Sequence, residues 1–336
     1  MLDWARQRNH VLPLCVCSIG TVLSVIVVLN FGWVLGFVSV MVSSLFLYLE
    51  ILTQWSFRAP AKRKPPLNEA GWKQLNLNVN GYTLAYYIQD ATPGAPLALV
   101  CHGWTAGAIR MVHRASSFAE RGWNVAMVDL PSHGASDSIP KWSAEQATTL
   151  LIQSMNMLRE ERPELFRNDV CFYGHSIGAF IGLRISKRRA ELDEAAHPTG
   201  WVFESPMTGY TEIHEETCNI LKIPTMLRPW VLNKTLRHFN AINGPERMVS
   251  ALADADVPTW GLTREPTLMV QANPDERLGA VHHQRLMDVM ASGEGATLLT
   301  THLLDDLRHS GSHECTSRKV VVDAWIDQHF THSSTV

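Results

Sequence analysis

The stretch DVCFYGHSIGAF, residues 169–180, sets one serine between two glycines, with an apolar run on either side. Residues 170–173 are apolar and partly β-branched or aromatic, as in a short buried strand. Residues 177–186 offer the apolar face of a helix start. Between them GHSIG fits the G-x-S-x-G pattern, which carries chemical meaning only where a buried strand turns into a helix. So sharp a turn strains the serine backbone and tolerates no bulk on either flank. Gly174 and Gly178 meet that demand, and Ala179 extends the small surface. The Ser176 hydroxyl then projects at a helix N-terminus, where free N–H groups and the helix dipole favour developing negative charge. On the motif alone, a purely structural strand-to-helix turn is the competing reading.

The chain has 336 residues, enough for one large domain or two smaller ones, and a formal net charge of −3. No basic excess points to nucleic acid. Residues 11–49 contain no charged side chain at all and are almost wholly apolar. A spanning helix needs about 20 such residues, so this run predicts a membrane anchor over 11–50, as one tilted span or a hairpin turning near Asn30, Gly32 and Gly36. The apolar region of a signal peptide, about 7–15 residues, is far shorter. Arg6 and Arg8 precede the run, and Arg58, Lys62, Arg63 and Lys64 follow it. Positive charge prefers the cytoplasmic side, so residues 1–10 and the large domain are both expected there for a hairpin, and the large domain also for a single span. The same cluster suits either anionic lipid headgroups or a solvated linker. None of the six cysteines has the spacing of a disulfide framework or a zinc site, and Cys101 and Cys171 read as core residues.

Residues 51–70 form a basic, proline-rich linker, and the large domain is expected over 71–336. Leu75, Leu77 and Val79 alternate with polar residues up to Asn80-Gly81, a pair suited to a two-residue hairpin turn. The period then changes. PLALVCHG is a buried strand, residues 109–121 suit a helix, and WNVAMVDLP is a second buried strand. Ser143 and Gln146 announce a further helix, and the elbow strand and GWVFESP follow. Strands alternating with helices predict an α/β domain with a mostly parallel sheet flanked by helices.

Four motifs in this order, HGWTAG, DLPSHGASD, GHSIGA and FESPMTG, resemble the α/β-hydrolase fold. They are most similar to its monoglyceride-lipase and serine-aminopeptidase-like (S33) branch, over about residues 72–330. The resemblance implies that Ser176 is a nucleophile. It also implies an oxyanion hole made by the backbone N–H groups of Trp104 and Ile177. Such donors are fixed before charge develops on the substrate oxygen. His102, Asp129 and His133 are expected to brace loops.

By the order serine, acid, histidine that the fold implies, the acid follows a later strand. PTLMVQANPDERL offers Asp275, with Glu276 beside it and Glu204 after an earlier strand as alternatives. Relatives usually carry glycine where this chain has Ala272. The tail offers His302, His309 and His313. His302 is expected within the last strand, so the base is His309, with His313 as the alternative. Residues 207–265 exceed a simple crossover, and the resemblance implies that they form a small helical cap whose apolar side chains either line an acyl pocket or pack the cap onto the core.

The reading is thus a membrane-anchored serine hydrolase cleaving carboxylic esters. Lipid-like esters such as monoacylglycerols or lysophospholipids are its expected substrates, attacked by a Ser176–His309–Asp275 triad that needs no cofactor or metal. An amidase or peptidase of the same fold is the alternative enzyme, and an inactive hydrolase-like membrane scaffold is the alternative of another class.

Overall fold

The computed structural model describes residues 3–8, 10–60, 63–292 and 297–330. Lys62 of the basic linker lies outside them. The chain forms two compact units. One comprises Met1–Ala59, Ile139–Ser143 and His214–Leu252; the other comprises Pro60–Ser138, Ala144–Ile213 and Ala253–Val336.

The first unit begins with a short helix α1 (Asp3–Arg6) and two long apolar helices, α2 (Val11–Phe31) and α3 (Trp33–Trp55). Gly32 joins them with φ 88°, a value glycine adopts without penalty. The turn of the hairpin is therefore Gly32, while Asn30 and Gly36 sit inside the flanking helices. The second helix continues past the uncharged run to Trp55. It can do so because the Glu50 carboxylate is not left bare: it accepts hydrogen bonds from Lys234 Nζ at 2.5 Å and Gln54 Nε2 at 2.9 Å. Lys234 belongs to α8 (Arg228–Asn243), which the insertion contributes to this unit. Leu49 and Leu52 pack there with Cys218, Ile223 and Val231 into a small core.

The second unit is built on an eight-stranded sheet. Strands β1 (Lys73–Val79) and β2 (Tyr82–Gln89) form the expected antiparallel hairpin. Asn80 and Gly81 both have positive φ, 51° and 80°, as the tight hairpin turn requires. The remaining strands are β3 (Leu97–Cys101), β4 (Asn124–Val128), β5 (Val170–His175), β6 (Gly200–Glu204), β7 (Thr267–Ala272) and β8 (Leu299–Leu304). Their spatial order is β1-β2-β4-β3-β5-β6-β7-β8, with β2 antiparallel to β4 and every later pair parallel. β3, β4, β6 and β7 are buried along their whole length, which is why they read as apolar runs rather than alternations.

Helices α4 (Val112–Ala119), α5 (Ala144–Glu161), α6 (Ile177–Lys187), α9 (Ala280–Ala291) and α10 (Thr316–His329) flank the sheet, and α7 (Thr211–Ile220) is the first helix of the insertion. The helix expected over 109–121 is shorter than the pattern implied. It opens with a 3₁₀ turn at Ala108–Arg110 and stops before Gly122, where φ is 73°. This is an α/β-hydrolase architecture, with the C-terminal ends of the parallel strands carrying the loops of interest.

Candidate active site

β5 runs directly into α6, and Ser176 is the single residue between them, at φ 55° and ψ −115°. Few non-glycine residues adopt such a backbone, and it persists only where the surroundings enforce it. Here they do. A Cβ on Gly174 would lie 2.6 Å from the Ala179 backbone, and one on Gly178 would lie 2.5 Å from the Cys101 carbonyl oxygen. Both flanks therefore need glycine for close approach. The Ser176 N–H donates to the Glu204 carbonyl at 2.9 Å, and its own carbonyl accepts from Ala179 at 3.1 Å and from Met207 at 3.2 Å. The turn is pinned from both sides.

The structure brings His309 to this serine. His309 Nε2 lies 3.0 Å from Ser176 Oγ, and His309 Nδ1 lies 2.9 Å from Asp275 Oδ2. A carboxylate can only accept, so the imidazole proton belongs on Nδ1 and Nε2 is left to accept from the serine hydroxyl. All three side chains are buried. Asp275 Oδ2 also accepts from Gln271 Nε2 at 2.8 Å. Its Oδ1 accepts the N–H groups of Arg277 at 2.9 Å and Leu278 at 2.8 Å. Burial works to raise this carboxyl, but His309 and the two N–H donors outweigh it and hold it at about 2. Ala272, in place of the usual glycine, ends β7 and is not among the positive-φ residues, so a methyl group is tolerated there.

The other candidates lie elsewhere. Glu276 is exposed. His302 lies in β8. His313 has its pKa lowered by partial burial and by Arg110, Arg114 and Arg318 around it, and its carbonyl accepts from Arg318 Nη2 at 2.8 Å. Glu204 is fully buried and accepts from Arg114 Nε and Nη2 at 2.7 and 2.6 Å. It also accepts from the Tyr173 hydroxyl, and Arg318 Nη1 stands 3.6 Å away. Burial opposes its ionisation, yet these arginines hold the carboxyl below its ordinary range.

This buried cluster has a visible consequence for His309. Arg318 donates to the carbonyls of Ser312 and His313, at 2.8 Å each. His175, the residue before the serine, donates from Nε2 to the His309 carbonyl at 3.0 Å. Burial lowers the His175 pKa to about 3, so the ring is neutral and keeps one proton for that bond. The loop bearing His309 is thus held at several backbone points. Sequence reasoning did not single out Arg114, Arg318 or His175. Only His175 carried a local signal, as the variable residue inside GHSIG.

Trp104 follows Gly103, whose loop abuts the elbow: a Cβ there would meet Ser176 Cβ at 3.2 Å. Ile177 is the first residue of α6, where helical N–H groups have no intrahelical acceptor. Behind this loop His102 donates from Nδ1 to the Gly103 carbonyl at 2.7 Å, and its Nε2 accepts from the Leu130 N–H at 3.0 Å. Asp129 accepts the N–H groups of Ala108 at 2.8 Å and Ala135 at 2.9 Å. The His133 ring packs edge-on to Trp104 at 5.3 Å.

The strand order and the elbow define an α/β-hydrolase fold, and solved structures agree. The chain is similar to an esterase of Pyrococcus furiosus in two crystal forms. One gives 15% identity and a TM-score of 0.54 over 82% of this chain and 100% of that one. The other gives 16% and 0.56 over 81% and 99%. An alpha-beta hydrolase from Vibrio vulnificus gives 17% and 0.52 over 77% and 80%. Residues 95–278 match the family described as serine aminopeptidase, S33, and the chain belongs to that family. It is a serine hydrolase. No curated protein matches the sequence.

Proposed function

We propose that the protein is a membrane-anchored esterase acting on lipid-like acyl esters through Ser176, His309 and Asp275. The observation that carries this reading is the continuous hydrogen-bonded path from a serine on a strained elbow, through one imidazole, to a buried carboxylate. Ser176 Oγ attacks the acyl carbon and gives its proton to His309 Nε2. Asp275 stabilises the imidazolium that forms, and the N–H groups of Trp104 and Ile177 receive the oxyanion. The imidazolium then protonates the leaving alcohol. Water, activated by the same histidine, releases the acid from the acyl-enzyme.

Two strongly apolar helices of 21 and 23 residues support the membrane anchor. Each is long enough to cross the roughly 30 Å hydrocarbon layer. Basic residues on both flanks support a hairpin with both ends, and hence the hydrolase unit, on the cytoplasmic side. An enzyme tethered there meets monoacylglycerols and lysophospholipids at high local concentration. Amide cleavage is the second reading, favoured by the aminopeptidase description of the family.

A series of acyl esters tests the choice. If a dry acyl pocket buries each added methylene, at about 0.8 kcal/mol apiece, kcat/KM rises about fourfold per methylene before levelling. A strict preference for acetyl esters or aminoacyl amides would overturn the lipid reading.

A further inference from the structure

In the first unit α8 lies alongside the end of α3 in a repeating register. The Trp230 ring stands 6.4 Å from that of Phe46, Lys234 bonds Glu50, and His238 Nε2 lies 2.9 Å from Gln54 Nε2. Each step advances both helices by four residues, so α8 runs parallel to α3 with its N-terminus at the level of Phe46. That level is about 6 Å, one helical turn, inside Glu50 along the apolar helix.

The residues that lead into α8 therefore lie between the level of Phe46, which Trp230 meets, and that of Leu49 and Leu52, with which Ile223 shares a core. They are unlike an ordinary water-facing loop. Ile220, Met226 and Trp230 are 65%, 80% and 55% exposed. Pro224 and Pro229 remove two backbone donors, and Leu227 N–H is satisfied by the Pro224 carbonyl. From residue 217 to residue 245 there is no Asp or Glu, while Lys222 and Arg237 are exposed. Apolar and indole side chains flanked by cations, without acids, suit the headgroup region of an anionic bilayer.

We infer that the segment from Ile220 to Trp230 is a lipid-contacting element, seated in the headgroup layer beside the two apolar helices. The inference rests on reading α2 and α3 as membrane-spanning. Its partner is the lipid surface itself, and the Glu50–Lys234 bond with the Leu49, Ile223 and Val231 contacts holds it at that depth.

Photolabelling separates the two claims. The full chain is reconstituted into phosphatidylcholine vesicles, with or without phosphatidylserine, containing a diazirine-bearing phospholipid, and adducts are mapped by peptide mass spectrometry. Adducts are expected on peptides from α2 and α3 and on the peptide carrying Ile220, Met226 and Trp230. The yield on the latter should rise when phosphatidylserine is included. The double variant Met226→Asp with Trp230→Asp should lose the insertion adducts and keep those on the helices. Adducts on the helices alone in the unaltered chain would overturn the inference and leave the anchor standing. Adducts on neither would overturn both. Insertion adducts that persist in the double variant would overturn the assignment to these side chains.

Discussion

Replacing Glu204 by Gln tests whether this carboxylate is structural or catalytic, because it removes one charge from the centre of a buried cluster. Glu204 is fully buried, and the guanidinium groups of Arg114 and Arg318 beside it are 4% and 3% exposed. With a neutral amide in its place, both cations remain buried without a countercharge, and the amide N–H₂ faces a guanidinium donor. Leaving a buried charge unpaired costs about 3–5 kcal/mol. For a domain of this size that lowers Tm by about 6–20 °C. The pH dependence supplies a second signature. The Glu204 carboxyl is held below its ordinary range in the folded protein, so its contribution is present above pH ~4.3 and fades as the pH falls through the folded value. Glu204→Gln should therefore be less stable at neutral pH, with less further loss on acidification. Thermal unfolding of the full chain in detergent at several pH values reads both effects. Ester turnover below the transition should stay within about tenfold of the parent, because the Glu204 carboxylate reaches the His309 loop indirectly, through Arg318 at 3.6 Å and His175 Nε2 at 4.0 Å. A variant of unchanged Tm that is nonetheless inactive would refute the structural role and make Glu204 the catalytic acid.

Asp275→Asn should lower kcat by about 10³- to 10⁴-fold while the protein folds, since the amide no longer fixes the Nδ1 tautomer or stabilises the imidazolium. The Asp275 carboxyl is held at about 2, so its ionisation contributes about 2 kcal/mol of stability above pH ~4. That contribution is lost as the pH falls toward 2, and acid titrations of the two proteins should differ by that amount. For the anchor, carbonate washing should leave the full chain in the membrane pellet, and protease added outside intact cells should spare residues 71–336. Release by carbonate would contradict the anchor, and digestion from outside would contradict the orientation.

The parts of the site visible in the sequence are those whose chemistry is local. Gly174, Ser176 and Gly178 sit within five residues, and the buried strand before them and helix after them are patterns of apolar side chains. The hairpin turn at Asn80-Gly81 is equally local, because positive φ at both residues is a property of that dipeptide. The histidine was less sharply defined. His309 and His313 share one loop, and only the three-dimensional path of that loop sets the His309 ring beside Ser176. The Arg114–Glu204–Arg318 cluster was illegible for a related reason. Arg114 and Glu204 are 90 positions apart, and each lies in a segment whose pattern is that of an ordinary helix or strand. The insertion presented the same difficulty. Its apolar residues gave no sign that Cys218, Ile223 and Val231 would share a core with Leu49 and Leu52 of the second apolar helix.

Ser176 as the nucleophile and His309 as its base make the chemistry proposed for this site directly testable. The most direct measurement is labelling of the full chain with a fluorophosphonate, followed by peptide mapping of the adduct. A single adduct on Ser176 is expected. Ser176→Ala should abolish it together with ester hydrolysis in a folded protein, and His309→Ala should lower both by several orders of magnitude, whereas His313→Ala should leave both near the parent level. Labelling at another residue, or full ester turnover by Ser176→Ala, would contradict the account.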